Sequence, residues 1–316
     1  MLRKVNLGRT GIEVTELCFG VLPLGPLQKD ITREDAVALL RKAYARGITF
    51  FDTAATYGTE SYLGEALAGL ENETIVATKA MNSDYEGMKE NVEKSFRELK
   101  RDTIEIYHLH AARVDENVFN ERKEALRCLH EYKEKGKIKA IGIATHNVKA
   151  VRESAKRTEI DIVFPLINRA GRGLLAGTTE EMIEAIGMAA AAGKGIYAMK
   201  ALAGGALLGN IQESFDFVRQ IDGINALAVG MVAEDELEYN LAYFSGLEIP
   251  GHLKGKEMER KKITIQRFCI GCGACVKACP NKALKVVEGK AVIDHSKCIL
   301  CGYCNPVCDK FAIRIV

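Results

Sequence analysis

The chain has 316 residues, 47% hydrophobic and 27% charged, with a formal net charge of +2. This is ordinary globular composition, long enough for one large domain and a small module; the near-zero charge leaves no basic field for nucleic acid. No apolar run reaches the roughly 18 residues that a bilayer crossing needs, and Met1–Leu17 has no signal-like apolar stretch, so the expectation is a cytoplasmic protein that binds neither nucleic acid nor membrane.

In chain order, Lys4–Thr15 places Gly8 and Gly11 among polar residues and predicts a hairpin. From Glu16 to Ser245, β-rich runs alternate with amphipathic helical runs. Strands are predicted near Cys18–Val21, Ile48–Ala54, Thr74–Ala80, Thr103–His110, Ile138–Thr145, Asp161–Asn168, Gly195–Leu202 and Ile224–Met231. Helices are predicted over Arg33–Arg46, Ser61–Leu70, Met88–Leu99, Glu121–Lys135, Val148–Arg157, Thr179–Ala192, Ser214–Gln220 and Glu234–Ser245. Eight strand–helix units over this length predict an α/β fold, a (β/α)8 TIM barrel; with no early G-x-G-x-x-G, a doubly wound sheet is disfavoured. The hairpin would then cap the barrel floor. The barrel is expected over residues 1–250, a polar linker over 251–262 with the basic run Arg260–Lys262, and a small domain over 263–316.

Eight of the ten cysteines fall in the last 48 residues. Cys269, Cys272, Cys275 and Cys279 read C-x2-C-x2-C-x3-C, and Cys298, Cys301, Cys304 and Cys308 repeat that spacing 29 residues later. Zinc prefers two separated C-x2-C pairs, and disulfides need an oxidising compartment. The spacing is that of bacterial ferredoxins with two [4Fe–4S] clusters, in which the fourth cysteine of each run crosses to the other cluster. One cluster is therefore assigned to Cys269, Cys272, Cys275 and Cys308, the other to Cys298, Cys301, Cys304 and Cys279. The domain is expected to be ferredoxin-like α+β, with a hairpin in Lys285–Asp294 turning at Glu288–Gly289. Cys18 and Cys128 read as small buried hydrophobes.

In a barrel, functional groups belong at the C-terminal ends of strands. Asp52, Lys79 and His110 end three predicted strands, and Tyr57 follows Asp52 in its loop. A tyrosine near pKa 10 is a poor acid at neutral pH; a lysine cation would lower that value, an aspartate would hold the lysine, and a histidine N–H can fix a carbonyl oxygen. His108 reads as packed or hydrogen-bonded inside the barrel.

Through Gly47-Ile48-Thr49-Phe50-Phe51-Asp52-Thr53-Ala54-Ala55-Thr56-Tyr57-Gly58, continuing to Glu60, Gly64 and Leu67, the chain resembles the aldo/keto reductase family over about residues 1–245. The resemblance implies a catalytic tetrad of Asp52, Tyr57, Lys79 and His110, with Tyr57 as proton donor. It also implies hydride transfer between a small carbonyl or alcohol substrate and NAD(P)H lying across the barrel top. Thr145, Asn168, Lys200, Gly204, Gly205 and Asn240 are the candidate cofactor contacts, with the Gly204-Gly205 turn able to cradle a pyrophosphate. The match departs from the family pattern at Ala144-Thr145, Phe164 and Met199. Val232 and Ala233, followed by Glu234, Asp235 and Glu236, stand where cations for a 2′-phosphate are usual, so no NADPH preference is expected. Arg113, Arg169 and Arg172 are candidates to meet an acidic substrate. The leading expectation is an iron–sulfur oxidoreductase whose clusters link it to a redox partner protein. The alternative is an electron-transfer protein whose barrel is a docking scaffold.

Overall fold

The computed structural model describes residues 1–255 and 261–316. Arg260 of the predicted basic run lies outside them. Strands β1 (Lys4–Asn6) and β2 (Glu13–Thr15) form an antiparallel hairpin. Eight parallel strands then close a barrel: β3 (Leu17–Gly20), β4 (Phe50–Asp52), β5 (Ile75–Ala80), β6 (Ile104–Ala111), β7 (Ile138–Thr145), β8 (Ile162–Pro165), β9 (Gly195–Met199) and β10 (Ala226–Gly230). The closing pair is β10 against β3, with Leu227 opposite Leu17.

Side-chain alternation along each strand separates two cores. Leu17, Phe19, Phe51, Val76, Tyr107, Ile141 and Val163 face outward and pack beneath the helices. Cys18, Phe50, Ala77, Ile106, Ile162 and Tyr197 face inward, and Leu7, Ile12 and Val14 of the hairpin segment plug the floor beneath them. The helices are α1 (Arg33–Ala45), α2 (Glu60–Ala66), α3 (Tyr85–Leu99), α4 (Val118–Glu121), α5 (Lys123–Glu134), α6 (Val148–Ser154), α7 (Thr179–Ala191), α8 (Ile211–Arg219) and α9 (Glu234–Phe244). The Thr178/Glu181 capping box starts α7 and the Asn147 side chain starts α6, satisfying helix N–H groups that lack internal partners. Cys18 and Cys128 are buried.

The predicted strand Gly195–Leu202 stops at Met199 because Lys200 turns the chain through a positive φ of 63°. The predicted helix Glu121–Lys135 is broken at Arg122 into α4 and α5.

The C-terminal module holds β11 (Ile263–Ile265), a short helix α10 (Ala274–Lys277), the hairpin β12 (Leu284–Val287) and β13 (Lys290–Ile293), and β14 (Ile313–Ile315) paired with β11. Glu288 and Gly289, both at positive φ, make the hairpin turn. The module rests on the barrel top. Its apolar cluster includes Leu208, with Leu202 and Ile211 packed against it, from the loop after β9 and the first residue of α8. A Cβ on Gly204 or Gly205 would collide with Arg314 or Ile315, so both glycines are needed for this close approach.

Candidate active site and cluster cavities

Asp52 sits two residues above inward-facing Phe50, Lys79 two above Ala77, and His108 two above Ile106. The alternation that builds the apolar interior therefore delivers a polar layer on top of it. Lys79 Nζ donates to Asp52 Oδ1 at 2.6 Å and to the Thr53 carbonyl at 2.6 Å. The other carboxylate oxygen of Asp52 accepts from the Tyr197 hydroxyl at 2.9 Å, and that hydroxyl meets His108 Nε2 at 2.6 Å. Lys79, His108 and Tyr197 are at most 1% exposed. Gly142 makes room for the network: a Cβ there would lie 2.2 Å from His108 Nδ1.

Tyr57 is partly buried at the rim of this layer. The Lys79 ammonium lies 5.0 Å from its ring centre, and His110 meets the ring edge-on at 5.8 Å. Burial raises the Tyr57 pKa; Lys79 pulls against that and Asp52 adds to it. The sequence expectation of a net lowering is thus reversed, because the phenol is less hydrated than the lysine can offset, and Tyr57 stands as a neutral acid. Burial also depresses the imidazole of His110 well below its ordinary value, reinforced by Lys79, Lys200 and Arg122, so the ring is neutral. For Lys79, burial works against the charge but the Asp52 carboxylate and Tyr57 outweigh it, and the ammonium is held above its ordinary value. The layer therefore sets a neutral imidazole and a fixed cation beside a neutral phenol.

A cleft opens above, lined by Asp52, Tyr57, Phe164, Met199, Lys200, and by Arg314, Ile315 and Val316 of the module. It adjoins a second cleft whose lining includes Asn240, and Gly230, Val232, Glu236 and Lys261 are among the residues the two share. Of the candidate cofactor contacts, Lys200, Gly204 and Gly205 line the first cleft and Asn240 the second. Lys200 Nζ is 3.0 Å from His146 Nε2. The cradle expected at Gly204-Gly205 is already filled by Arg314 and Ile315. Thr145 is buried, its hydroxyl accepting from the Asn147 N–H at 3.1 Å, and Asn168 closes its own loop by two bonds to the Arg172 backbone. Neither lines the clefts. Of the three carboxylates after Ala233, Glu236 accepts from the Val232 N–H at 2.8 Å and pairs with Lys261, and Glu234 pairs with Lys42.

In the module, Cys269, Cys272, Cys275 and Cys308 line one cavity. Cys279, Cys298, Cys301 and Cys304 line another. Among the described residues no group of three or more His, Cys, Asp or Glu side chains closes on a single ion. The thiols surround voids rather than points. A lone zinc would draw its sulfurs to about 2.3 Å from one centre; a cubane, with its irons at separate corners, needs them spread. Backbone N–H groups already point at the sulfurs. Gly271 and Ala291 donate to Cys269 at 3.4 Å, and Ala283 donates to Cys279 and Ala312 to Cys308 at 3.2 Å. The last two contacts are equivalent in the sequence repeat. The residues thus fit two four-iron clusters.

Residues 16–245 match the description "Aldo/keto reductase family" and residues 268–312 match "4Fe-4S dicluster domain". The chain belongs to the aldo/keto reductase family. It is 28% identical over 203 residues to the uncharacterized oxidoreductase YqkF of Bacillus subtilis, covering 58% of this chain and 63% of that protein. It is 28% identical over 199 residues to an NADH-specific methylglyoxal reductase of Escherichia coli, covering 54% and 61%. The chain thus spans somewhat less than two thirds of the length of these curated relatives. A putative aldo-keto reductase from Pseudomonas aeruginosa superposes with a TM-score of 0.67 at 27% identity, over 77% of this chain and 94% of that one. No helix of the described residues is long and apolar enough to cross a membrane.

Against an aldo/keto reductase barrel, the three loop arginines take on different work from the one expected. Arg113 donates to the Lys310 carbonyl at 2.5 Å, and Arg172 to the carbonyls of Pro306 at 2.9 Å and Asn305 at 2.5 Å. They fasten the module to the barrel. Arg169 is spent on Ser214 at 3.3 Å and Glu213 at 3.5 Å. Tyr197, His146 and Arg314 were not among the residues expected at the site. Tyr197 carried a signal, since alternation from Gly195 puts it inward; the other two depend on how loops and the module fold over the barrel.

Proposed function

We propose that the barrel reduces an aldehyde or ketone, or oxidises the corresponding alcohol, with a nicotinamide cofactor in the two adjoining clefts. The observation that carries this is Tyr57 at the cleft rim, held over the Lys79–Asp52 pair and beside His110. In this reading the cofactor supplies or accepts the hydride. The chain's own residues do the rest. Tyr57 Oη gives its proton to the developing alkoxide, and the Lys79 ammonium stabilises the phenolate left behind. Asp52, bridged to His108 by Tyr197, keeps Lys79 in place, and neutral His110 orients the carbonyl oxygen. Phe164 and Met199 give the cleft an apolar floor suited to a flat ring. The E. coli relative's use of NADH accords with the far end of the cleft, where Lys29 and Lys261 face Asp235 and Glu236 without a net charge for a 2′-phosphate.

Within the module, we assign one [4Fe–4S] cluster to Cys269, Cys272, Cys275 and Cys308, and the second to Cys279, Cys298, Cys301 and Cys304. The clusters would exchange single electrons with a redox partner protein in a reducing cytoplasm, beside a barrel reaction that moves two together as hydride. One observation favours the second reading, a barrel kept as a docking scaffold: Arg314 and Ile315 occupy the Gly204-Gly205 turn and narrow the cleft. Fluorescence titration of anaerobically purified protein with NADH separates the two, because a scaffold has no saturable site.

A further inference from the structure

The two cluster cavities are not equivalent in their surroundings. The strand β14 is a party wall. Ala312 and Ile313 line the cavity of Cys269, Cys272, Cys275 and Cys308, while the next residues, Arg314, Ile315 and Val316, line the Tyr57 cleft. Phe311 continues this wall. Its ring lies 5.7 Å from Lys200 Nζ and against Gly173 of the barrel. The other cavity is lined only by module residues between Ile263 and Cys304.

Three guanidinium groups surround the first cavity. Arg172 grips the carbonyls just before Cys308, Arg113 the carbonyl of Lys310 just after it, and Arg314 the carbonyls of Phe311 and Ile313, the latter at 3.0 Å. Arg113 also lies 4.1 Å over the ring of Phe268, next to Cys269. All three act electrostatically on Cys308. Their hydrogen-bond partners are neutral carbonyls, and among the described residues none of the three makes an ion pair with a carboxylate; Asp309 reaches Arg172 only at longer range. Arg314 is 4% exposed, and Arg172 Nε is buried without a partner. Cations gathered this way are costly unless an anion sits among them. A four-thiolate cluster carries about −2 when oxidised and one unit more when reduced. Among the described residues no arginine lines the second cavity, and beside Cys298 stands the exposed pair Lys297 and Asp294.

Building on the cluster assignment above, we propose that Arg113, Arg172 and Arg314 hold the Cys308 cluster at a higher reduction potential than its partner, so that an electron shared between the two settles on the cluster beside the Tyr57 cleft. Cations favour the more negative, reduced form of a cluster, so its potential rises. The internal step is the transfer of one electron. The cluster on Cys298, Cys301, Cys304 and Cys279 goes from 1+ to 2+, the Cys308 cluster goes from 2+ to 1+, and no bond or proton moves. The arginines act here as positioning and charge-setting residues, not catalytic ones.

The test is an anaerobic redox titration of the full holoprotein with dithionite and mediators, followed by electron paramagnetic resonance. Two separate potentials are expected. Cys308→Ser should alter the spectrum of the higher-potential cluster. Arg172→Gln and Arg314→Gln, with iron and sulfide content unchanged, should lower that potential and leave the other in place. Arg172→Lys, which keeps the charge but loses the two-pronged grip, should restore most of the shift. Equal shifts of both clusters, a shift of the lower one alone, or no shift would overturn the proposal. So would Lys behaving like Gln, since that is the pattern of a purely structural clamp. Loss of iron and sulfide from the wild-type protein would instead count against the cluster assignment on which the proposal rests.

Discussion

Replacing Tyr57 by phenylalanine removes one oxygen and nothing else from the candidate site. The ring keeps its place over the Lys79 ammonium at 5.0 Å and against the edge of His110. Lys79 keeps its bonds to Asp52 and Thr53, so no buried charge is left unpaired. The stability change should therefore stay within about 0.5 kcal/mol, as for a partly exposed site. Catalysis should respond very differently. Loss of a general acid costs about 10²–10⁴-fold, which at 1.36 kcal/mol per decade is about 2.7–5.4 kcal/mol of barrier. Lys79→Met is the contrasting perturbation. It leaves the Asp52 carboxylate buried without its cation, and breaking such a pair costs about 3–5 kcal/mol of folding stability, a large share of the 5–15 kcal/mol typical of a domain. Steady-state reduction of a panel of small aldehydes and ketones, with thermal unfolding of the same samples, distinguishes the two effects. Tyr57→Phe should lose turnover and keep its melting temperature; Lys79→Met should lose both. Near-normal turnover in Tyr57→Phe would refute the reasoning and make Tyr57 a loop anchor.

Three further outcomes are expected. Because burial keeps the Tyr57 phenol above its ordinary pKa and the His110 imidazole below its own, carbonyl reduction should be flat from about pH 6 to about pH 9 and fall only as the phenol ionises beyond 10; an inflection near pH 6.5 in kcat/KM would show His110 titrating in the mechanism. Anaerobic iron and acid-labile sulfide assays should give about eight of each per chain, and Cys308→Ser should damage the cluster of Cys269, Cys272 and Cys275; damage confined to the other cluster would reverse the assignment. Binding titrations should find NADH equal to NADPH or better, whereas a hundredfold preference for NADPH would mean that Lys261 leaves Glu236 for a 2′-phosphate.

Local chemistry made much of this protein legible before its fold was known. Alternation put Asp52, Lys79 and His108 on the inner face of their strands, and the paired C-x2-C-x2-C-x3-C runs build the two cavities between them, each taking three thiols from one run and the fourth from the other. Local spacing left the docking invisible. Arg113 and Arg172 read as arms for a substrate because each sits in a loop at the barrel top; only the folded chain shows the carbonyls of Asn305, Pro306 and Lys310 arriving to meet them. The Gly204-Gly205 turn misled for the same reason. Two small residues at positive φ suit a pyrophosphate or a strand equally well, and β14 is the strand that comes. The Tyr57 pKa was read in the wrong direction because a sequence shows the neighbouring lysine but not the burial that outweighs it.

Nicotinamide binding beside Tyr57 is where a catalytic barrel and a docking scaffold differ most sharply. Anaerobically purified holoprotein, titrated with NADH and followed by nicotinamide fluorescence, should show one saturable site per chain. Met199→Arg, which drives a charged side chain across the apolar floor of the cleft, should abolish that site with iron content unchanged. No saturable binding in wild-type protein whose clusters still cycle with one-electron mediators would contradict the account and leave the barrel as a scaffold.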